Sequence, residues 1–154
     1  MSISIVAMQA SNQAFIREGI EIYLSRLQHY HSVEWIELKT SKKNSYSGRS
    51  KEEEAKKFMK YLKPGDRLVL LDEQGSEFSS KQLAGKMESW LNQSGRIVFF
   101  IGGPFGFSKA IYQRADFKLS LSKLTLPHQL IRLFFLEQLY RVFTIINHES
   151  YHHE

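Results

Sequence analysis

The sequence predicts an α/β fold: a mostly parallel sheet of five to six strands with helices on both faces. Short, continuously apolar runs alternate along the chain with longer segments whose apolar residues recur at helical spacing. Strands that are apolar on both sides are typical of parallel sheets covered by helices. The 154 residues, 42% of them apolar, suit one packed domain, so we expect residues 1–154 to form a single domain.

The first strand and helix follow directly from the start of the chain. Ile3–Met8 is apolar enough for a buried strand, and Val33–Leu38 predicts a second one. Between them Ser11 is placed to cap a helix, because apolar residues then recur at helical spacing. Those residues are Phe15, Ile16, Ile20, Tyr23, Leu24 and Leu27.

A polar, basic stretch separates the second strand from the second helix. Residues 39–50 carry four basic side chains, and we expect them to form a surface loop. Ser50 and Glu53 have the spacing of a capping box, which predicts that a helix starts here. The sequence "KPGD" at 63–66 then predicts a turn that ends this helical segment.

The middle of the chain repeats the alternation of strand and helix. Arg67–Leu71 predicts a third strand, followed by a polar loop, "DEQGSEF", at 72–78. Ser79 is placed to cap the next helix, which "NQSG" at 92–95 ends. Ile97–Ile101 is the most uniformly apolar run and predicts a fourth, fully buried strand.

The last third of the chain predicts a short helix at 108–114, a strand at 117–121 and a long final helix. The final helix is expected to run from Pro127, a favourable first helical residue, to about Ile146. Apolar side chains occupy most of its circumference, so it must be covered on two sides. One domain covers only one of them, and we therefore expect a homodimer.

Composition narrows the classes of function. The chain has no cysteine, which excludes disulfides and thiolate metal sites and fits a reducing compartment. No apolar run is long enough to cross a membrane, and the first ten residues lack the pattern of a signal peptide. The formal charge of +5 favours a polyanionic partner such as RNA. We expect a cytoplasmic protein without a membrane partner.

The fourth strand runs into an uncharged glycine turn, "GGPFG", at 102–106. Its glycines do not match the dinucleotide fingerprint or the phosphate-binding loop, and no nucleophile elbow is present. In parallel sheets, ligands bind beyond the carboxyl ends of strands, here at Leu71, Gly102 and Leu121. A neutral turn suits an adenosine group held by backbone amides and apolar walls. A plain strand-to-helix connection is the alternative.

Three longer stretches carry a resemblance to a known family. These are "LLDEQG" at 70–75, "FFIGGPFG" at 99–106 and "SLSKLTLPHQLIRLFFLEQLYRVFTI" at 120–145, followed by a terminal "YHHE". With them the chain resembles the ribosomal RNA large subunit methyltransferase H family, part of the SPOUT class of trefoil-knotted methyltransferases. The resemblance implies a C-terminal trefoil knot, which local sequence patterns do not predict. It also implies methyl transfer from S-adenosylmethionine to N3 of a pseudouridine in 23S rRNA, on the assembled ribosome.

The resemblance further implies site residues. The expected cofactor-binding residues are Leu71, Gly102, Leu121, Ser122, Lys123, Leu124, Thr125 and Leu126. Gly102 would let the backbone approach the ligand closely. For the RNA base we expect Tyr151, His152 and His153, with Tyr151 able to stack on a splayed base.

Two catalytic candidates follow, since the enzyme must align donor and ring nitrogen and must also deal with the N3 proton. His152 is the candidate proton acceptor, and Arg141 could orient the base or a phosphate. Alternatively, the terminal histidines could be frayed and Arg141 a structural ion-pair residue. His148 and His152 have metal-ligand spacing, but we expect no metal because further ligands are lacking nearby.

Two other functions fit parts of the sequence. A non-catalytic RNA-binding or ribosome-associated protein of the same fold would keep the basic surface without a cofactor. A tRNA methyltransferase would keep the cofactor and change the substrate. The glycine turn together with "LSKLTLP" argues against the first, and the absence of an appended RNA-binding domain argues against the second.

Overall fold

The computed structural model describes residues 2–40 and 50–153, and these residues form five strands and five helices. The α/β class and the alternation of strands and helices are confirmed. In chain order the elements are β1 (Ile3–Met8), α1 (Ala14–Leu27), β2 (Val33–Leu38), α2 (Ser50–Tyr61), β3 (Arg67–Glu77), α3 (Ser80–Leu91), β4 (Ile97–Ile101), α4 (Lys109–Arg114), β5 (Phe117–Ser120) and α5 (Leu130–Ile146).

The five strands form one sheet in the order β2-β1-β4-β3-β5, and every neighbouring pair is parallel. Ile97 at the start of β4 pairs with Ile3 on one side and with Arg67 on the other. Because all strands run the same way, their carboxyl ends meet at one edge of the sheet. Every residue of β1 and β4 is buried, as expected for strands covered on both faces.

The core lies in two layers, one on each face of the sheet. Alternate residues of β1 divide between them, since Ile5 faces the layer under α1, α3 and α5 and Val6 faces the layer under α2 and α4. In the second layer Phe58 of α2 stacks on Phe100 of β4, with ring centroids 3.8 Å apart. Helices therefore cover both faces, as predicted.

Local capping signals were correct where the partner is close in sequence. Ser79 caps α3 by accepting a hydrogen bond from the Gln82 amide, and the Gln82 side chain completes a capping box. Ser108 caps α4 by accepting from the Ile111 amide. The capping box expected at Ser50 and most of the loop expected at 39–50 lie outside the described residues.

The prediction that Ser11 caps the first helix was wrong. Helix α1 begins at Ala14, and the residue before it, Gln13, makes no side-chain cap. Ser11 instead donates its hydroxyl and its amide to the Glu37 carboxylate, at 2.5 and 3.1 Å. A partner that is remote in sequence has thus displaced the local cap.

Two element boundaries also differ from the predictions. Strand β3 continues to Glu77 through the expected loop at 72–78, because after an irregularity Ser76 pairs with Leu119 of β5. Helix α5 begins at Leu130 instead of Pro127 and ends at Ile146, as expected. The preceding residues form a turn in which the Ile131 amide donates to the Pro127 carbonyl at 3.1 Å.

A buried arginine ties α5 to the end of the sheet. Arg132 is 0% exposed, and its guanidinium donates to the carbonyls of Met8 and Gln9 and to the Ser11 hydroxyl. It also lies 3.4 Å from the Glu37 carboxylate. These bonds hold the start of α5 beside the carboxyl edge of the sheet. Within the described part of the chain, no helix is long and apolar enough to span a bilayer.

Candidate functional site

A cleft of about 570 Å³ opens at the carboxyl edge of the sheet, where β4 and β5 end and where the pairing of β3 becomes irregular after Leu71. We call it the strand-end cleft. Its volume lies in the range of small-molecule sites, roughly 300–1,000 Å³. Its walls are the middle of β3 at 71–74, the glycine turn after β4, the segment after β5, and the turn that leads into α5.

Most of the residues expected to bind the cofactor line this one cleft. They come from three separate segments of the chain: Leu71, Gly102, Leu121, Ser122, Leu124, Thr125 and Leu126. Lys123 is the exception, since its side chain is exposed and it does not line the cleft. Parallel strands bring the segments together because their carboxyl ends share an edge.

The backbone of the glycine turn packs closely against neighbouring atoms. A Cβ on Gly102 would lie 2.8 Å from Cε1 of the Phe107 ring, so a larger residue would have to displace that buried ring. Gly103 and Gly106 form an isolated antiparallel bridge, in which the Gly106 amide donates to the Gly103 carbonyl at 3.2 Å. Gly106 has φ +77°, a conformation that favours glycine. The turn therefore presents main-chain atoms to the cleft.

The segment after β5 is held by short-range hydrogen bonds. The Ser120 hydroxyl donates to the Ser122 carbonyl at 3.0 Å, and the Ser122 hydroxyl accepts from the Leu124 amide at 3.0 Å. The Thr125 hydroxyl donates to Glu73 at 3.2 Å, which links this segment to the residues after Leu71. The two segments thus form a connected wall of the cleft.

The cleft also contains polar side chains that were not among the predicted site residues: Asp72, Glu73, Gln74, Tyr112 and His128. The Tyr112 hydroxyl donates to Asp72 at 2.6 Å, and burial together with that carboxylate raises the pKa of Tyr112 to about 12. His128, in the turn before α5, also lines the cleft. Burial and the nearby Arg132 lower its pKa, so its ring is neutral at physiological pH. Asp72 directly follows the end of the predicted strand, Leu71, and could have been found that way, whereas Tyr112 reaches the cleft only through the fold.

A carboxyl group lies behind the glycine turn. Glu54 of α2 is 6% exposed, and its carboxyl group lies against the backbone of Gly103. Burial raises its pKa to about 7, and hydrogen bonding to the Gly103 backbone opposes that shift. Nothing in the sequence distinguishes Glu54 from Glu52 and Glu53 beside it.

The predicted substrate residues form a second group, which we call the tail cluster: Glu137, Arg141, Tyr151 and His152. Arg141 donates to Glu137 at 2.6 Å, and the Tyr151 hydroxyl donates to the same carboxylate oxygen at 3.0 Å. Arg141 also contacts Nδ1 of His152 at 3.2 Å. The chain end at Tyr151 and His152 is therefore packed against α5 and not frayed. Glu137, which sequence analysis missed, joins the cluster because it lies one helical turn before Arg141.

The hydrogen bonds of the tail cluster indicate which ring nitrogen of His152 carries a hydrogen. Arginine only donates, so Nδ1 of His152 accepts from Arg141 and, in a neutral ring, Nε2 carries the hydrogen. The acceptor nitrogen of His152 is thus already engaged. Burial raises the pKa of Tyr151, as do its hydrogen bonds with Tyr23 and Glu137, so Tyr151 stays a neutral phenol.

Cations and aromatic rings surround the tail cluster. The Arg141 guanidinium lies 4.7 Å from the Tyr151 ring centroid, and that of Arg26 lies 5.2 Å from the Tyr23 ring. Tyr151 also packs edge-on against Tyr140. His148 and His153 are exposed. Among residues 2–40 and 50–153, no group of three or more His, Asp or Glu side chains is arranged to hold a metal ion.

The strand-end cleft and the tail cluster do not meet within the chain. The helix α5 contributes Ile131 to the cleft, whereas the cluster begins at Glu137. Six helical residues span about 9 Å along the axis. None of the four cluster residues lines the cleft.

Comparison with known proteins places the chain in a family. The family described as "Predicted SPOUT methyltransferase" matches residues 1–152. Two similar proteins are both named ribosomal RNA large subunit methyltransferase H. The one from Parabacteroides distasonis is 44% identical and aligns over 100% of both chains, and the one from Cytophaga hutchinsonii is 43% identical over 99% of this chain and 100% of its own.

A solved structure supports the fold. A probable methyltransferase from Bordetella pertussis superposes with a TM-score of 0.58 at 9% identity, covering 92% of this chain and 93% of its own. With relatives at this identity over their full length, the chain belongs to the ribosomal RNA large subunit methyltransferase H family of SPOUT methyltransferases.

Proposed function

We propose that the chain transfers a methyl group from S-adenosylmethionine to N3 of a pseudouridine in 23S rRNA of the assembled ribosome, in the cytoplasm. The observation that carries the proposal is the strand-end cleft. Seven of the eight expected donor-binding residues line it, from three segments of the chain. The names of the full-length relatives support an rRNA of the large subunit as the substrate.

The cleft has the chemistry that such a donor needs. Apolar side chains such as Ile101, Leu119 and Ile131 would pack against an adenine ring, and the amides of the glycine turn would bond its polar edge. Asp72 and Glu73 offer carboxylates for ribose hydroxyls or for the positive groups of the donor. The bound donor supplies a methyl group already activated on a sulfonium. The residues of the cleft therefore only have to bind and orient it.

The tail cluster has the chemistry to receive the RNA base. The N3 proton of the pseudouridine must be removed, and His152 is the candidate acceptor. Its Nδ1 is engaged by Arg141, so the acceptor becomes available when Arg141 turns toward an RNA phosphate. Tyr151 offers an aromatic face for the base, and the exposed His153 lies beside it in the chain. The charge of +5 favours the approach to rRNA.

A homodimer would bring a strand-end cleft and a tail cluster together across the subunit interface. Donor and base must lie in contact for methyl transfer, whereas the cleft and the tail cluster of one chain are apart. Helices α1 and α5, which pack on each other, also leave apolar side chains exposed: Phe15 is 59%, Ile22 51% and Phe134 36% exposed. A second copy would cover this surface and bring its tail cluster to the cleft of the first.

The direct test is methylation of intact ribosomes by the purified protein with labelled S-adenosylmethionine. Ribosomes from cells lacking the protein serve as substrate, and mass spectrometry locates the methyl group in the rRNA. We expect one methyl group at N3 of a 23S pseudouridine, and none with a chain truncated after Ser150. Full methylation by the truncated chain would remove the assignment of Tyr151 and His152.

The same assay separates the alternatives. Calorimetry that shows no saturable binding of the donor, together with ribosomes left unmethylated, would favour a non-catalytic RNA-binding or ribosome-associated protein. Methylation of tRNA in place of ribosomes would favour a tRNA methyltransferase.

A further inference from the structure

Glu54 is a buried carboxyl group that the proposed chemistry does not use. It lies on α2 beside Ala55, in the apolar layer that contains Phe58, Phe100 and Phe107. Its exposed fraction is only 6%. No cation of residues 2–40 and 50–153 pairs with it, so its charge has no compensating partner there. Burying a carboxyl group without a cationic partner costs free energy of folding, and a further role for the group would explain why it is buried here.

The contact that Glu54 makes is with the glycine turn. Its carboxyl group lies against the Gly103 backbone, and hydrogen bonding to that backbone lowers the pKa of Glu54. A Cβ on Gly103 would lie 2.8 Å from Oε1 of Glu54, so glycine is needed for the two to approach. Gly103 is bridged to Gly106, and both line the cleft. Glu54 itself does not line it.

Glu54 therefore holds the turn from behind while the other side of the turn faces the cleft. We propose that Glu54 is a positioning residue for binding of the methyl donor: its carboxyl group accepts the Gly103 amide and keeps the glycine turn in its binding shape. The inference rests on the proposed donor site. It assigns to Glu54 no contact with the donor and no chemical step.

The charge of Glu54 gives this role a measurable signature. Burial raises its pKa from 4.5 to about 7, with Glu53 on the same helix contributing; the group that faces it from the turn is the uncharged Gly103 amide. Because its pKa is raised on folding, the contribution of Glu54 to the free energy of unfolding is complete below pH 4.5 and is lost as the pH rises through about 7. Affinity for the donor should change in the opposite sense, since the carboxylate binds the amide more strongly than the neutral acid does.

The test is calorimetry with S-adenosylmethionine on the full chain across the neutral pH range. For Glu54→Leu, which fills the space but cannot accept the amide, we expect affinity at least about tenfold weaker, from loss of a charge-assisted bond. Glu54→Gln keeps an acceptor oxygen, so we expect it to restore most of the affinity and to abolish the pH dependence. Glu52→Gln, an exposed neighbour on α2, is the matched control. A Glu54→Leu chain that is folded by circular dichroism and binds like the parent would overturn the proposal.

A double-mutant cycle tests the contact itself. Gly103→Ala should weaken donor binding because its methyl group meets the Glu54 carboxylate. In a Glu54→Ala background that obstacle is gone, and we expect Gly103→Ala to have little further effect. Independent, additive losses would contradict the proposal. If the Leu and Ala variants fail to fold, the pH dependence of donor affinity in Glu54→Gln decides. A pH dependence unchanged from the parent would overturn the proposal. Failure of the parent chain to bind the donor would instead remove the proposed function.

Discussion

The strand-end cleft lies beside the start of α5, and the tail cluster lies farther along the same helix. The two regions are built from different kinds of atoms. The cleft presents main-chain atoms and apolar side chains, with Gly102 closely fitted against Phe107. The tail cluster consists of side chains that bond one another, with Glu137 accepting from both Arg141 and Tyr151. A site made of backbone fails when atoms are added to it. A site made of side chains fails when atoms are removed.

The largest effect is expected from adding a side chain to the cleft. For Gly102→Arg we expect donor affinity to fall more than about 100-fold, because both bulk and charge enter a neutral site. Isothermal calorimetry measures it. The matched control is Gly85→Ala on α3, where an added Cβ meets nothing within 4 Å. Parent-like binding by Gly102→Arg would mean that the cleft does not hold the donor.

The next effect comes from removing a side chain of the tail cluster. Glu137→Ala leaves Arg141 and Tyr151 without their shared acceptor. We expect single-turnover methylation of ribosomes to slow by about 10- to 100-fold, from loss of a hydrogen bond to a charged group. Donor affinity should stay unchanged, since Glu137 does not line the cleft. Glu88→Gln, exposed on α3, is the control, and an equal loss of donor affinity in Glu137→Ala would contradict the separation of the two regions.

The third prediction asks whether the two regions cooperate between subunits. Gly102→Arg and Glu137→Ala chains, each strongly impaired alone, are mixed and allowed to exchange subunits. Half of the dimers would then be mixed and each would have one complete site, so about a quarter of the parent rate should return. Sedimentation verifies the dimer. A mixture no more active than the average of its components would indicate that each chain acts alone.

The smallest effect tests a single hydrogen bond of the cluster. Tyr151→Phe keeps the aromatic ring beside Arg141 and removes the bond to Glu137. We expect methylation to slow by about threefold, the value of one partly exposed hydrogen bond. Tyr151→Ala should be slower still, because the ring is lost as well. Equal rates for the two variants would show that the hydroxyl group, not the ring, carries the role.

Local signals predicted those features whose partners are near in sequence. The cap at Ser79 depends on Gln82, three residues later, and was predicted correctly. The cap at Ser11 was wrong because Glu37, remote in sequence, takes the hydroxyl instead. Strand β3 is longer than its apolar run because β5 offers backbone partners to Ser76 and Glu77. Pairing between distant segments is invisible to local periodicity.

The residues of the functional site also fall into those that sequence patterns predict and those that only the fold brings together. Leu71, Gly102 and Leu121 could be proposed because strand ends in parallel sheets meet at one edge. Tyr112 and Glu54 could not, since their contacts with Asp72 and Gly103 join separate elements. The trefoil knot and the homodimer stay predictions that follow from the resemblance and from the apolar final helix.

By itself the sequence determined the α/β class, the neutral glycine turn at a strand end and the family, because each is recorded in short runs of residues. Only the tertiary structure decided that a buried carboxyl group backs the turn and that the chain end is packed against α5, away from the cleft. The reason is physical: burial, pKa and hydrogen-bond partners depend on segments that folding brings together from distant parts of the chain.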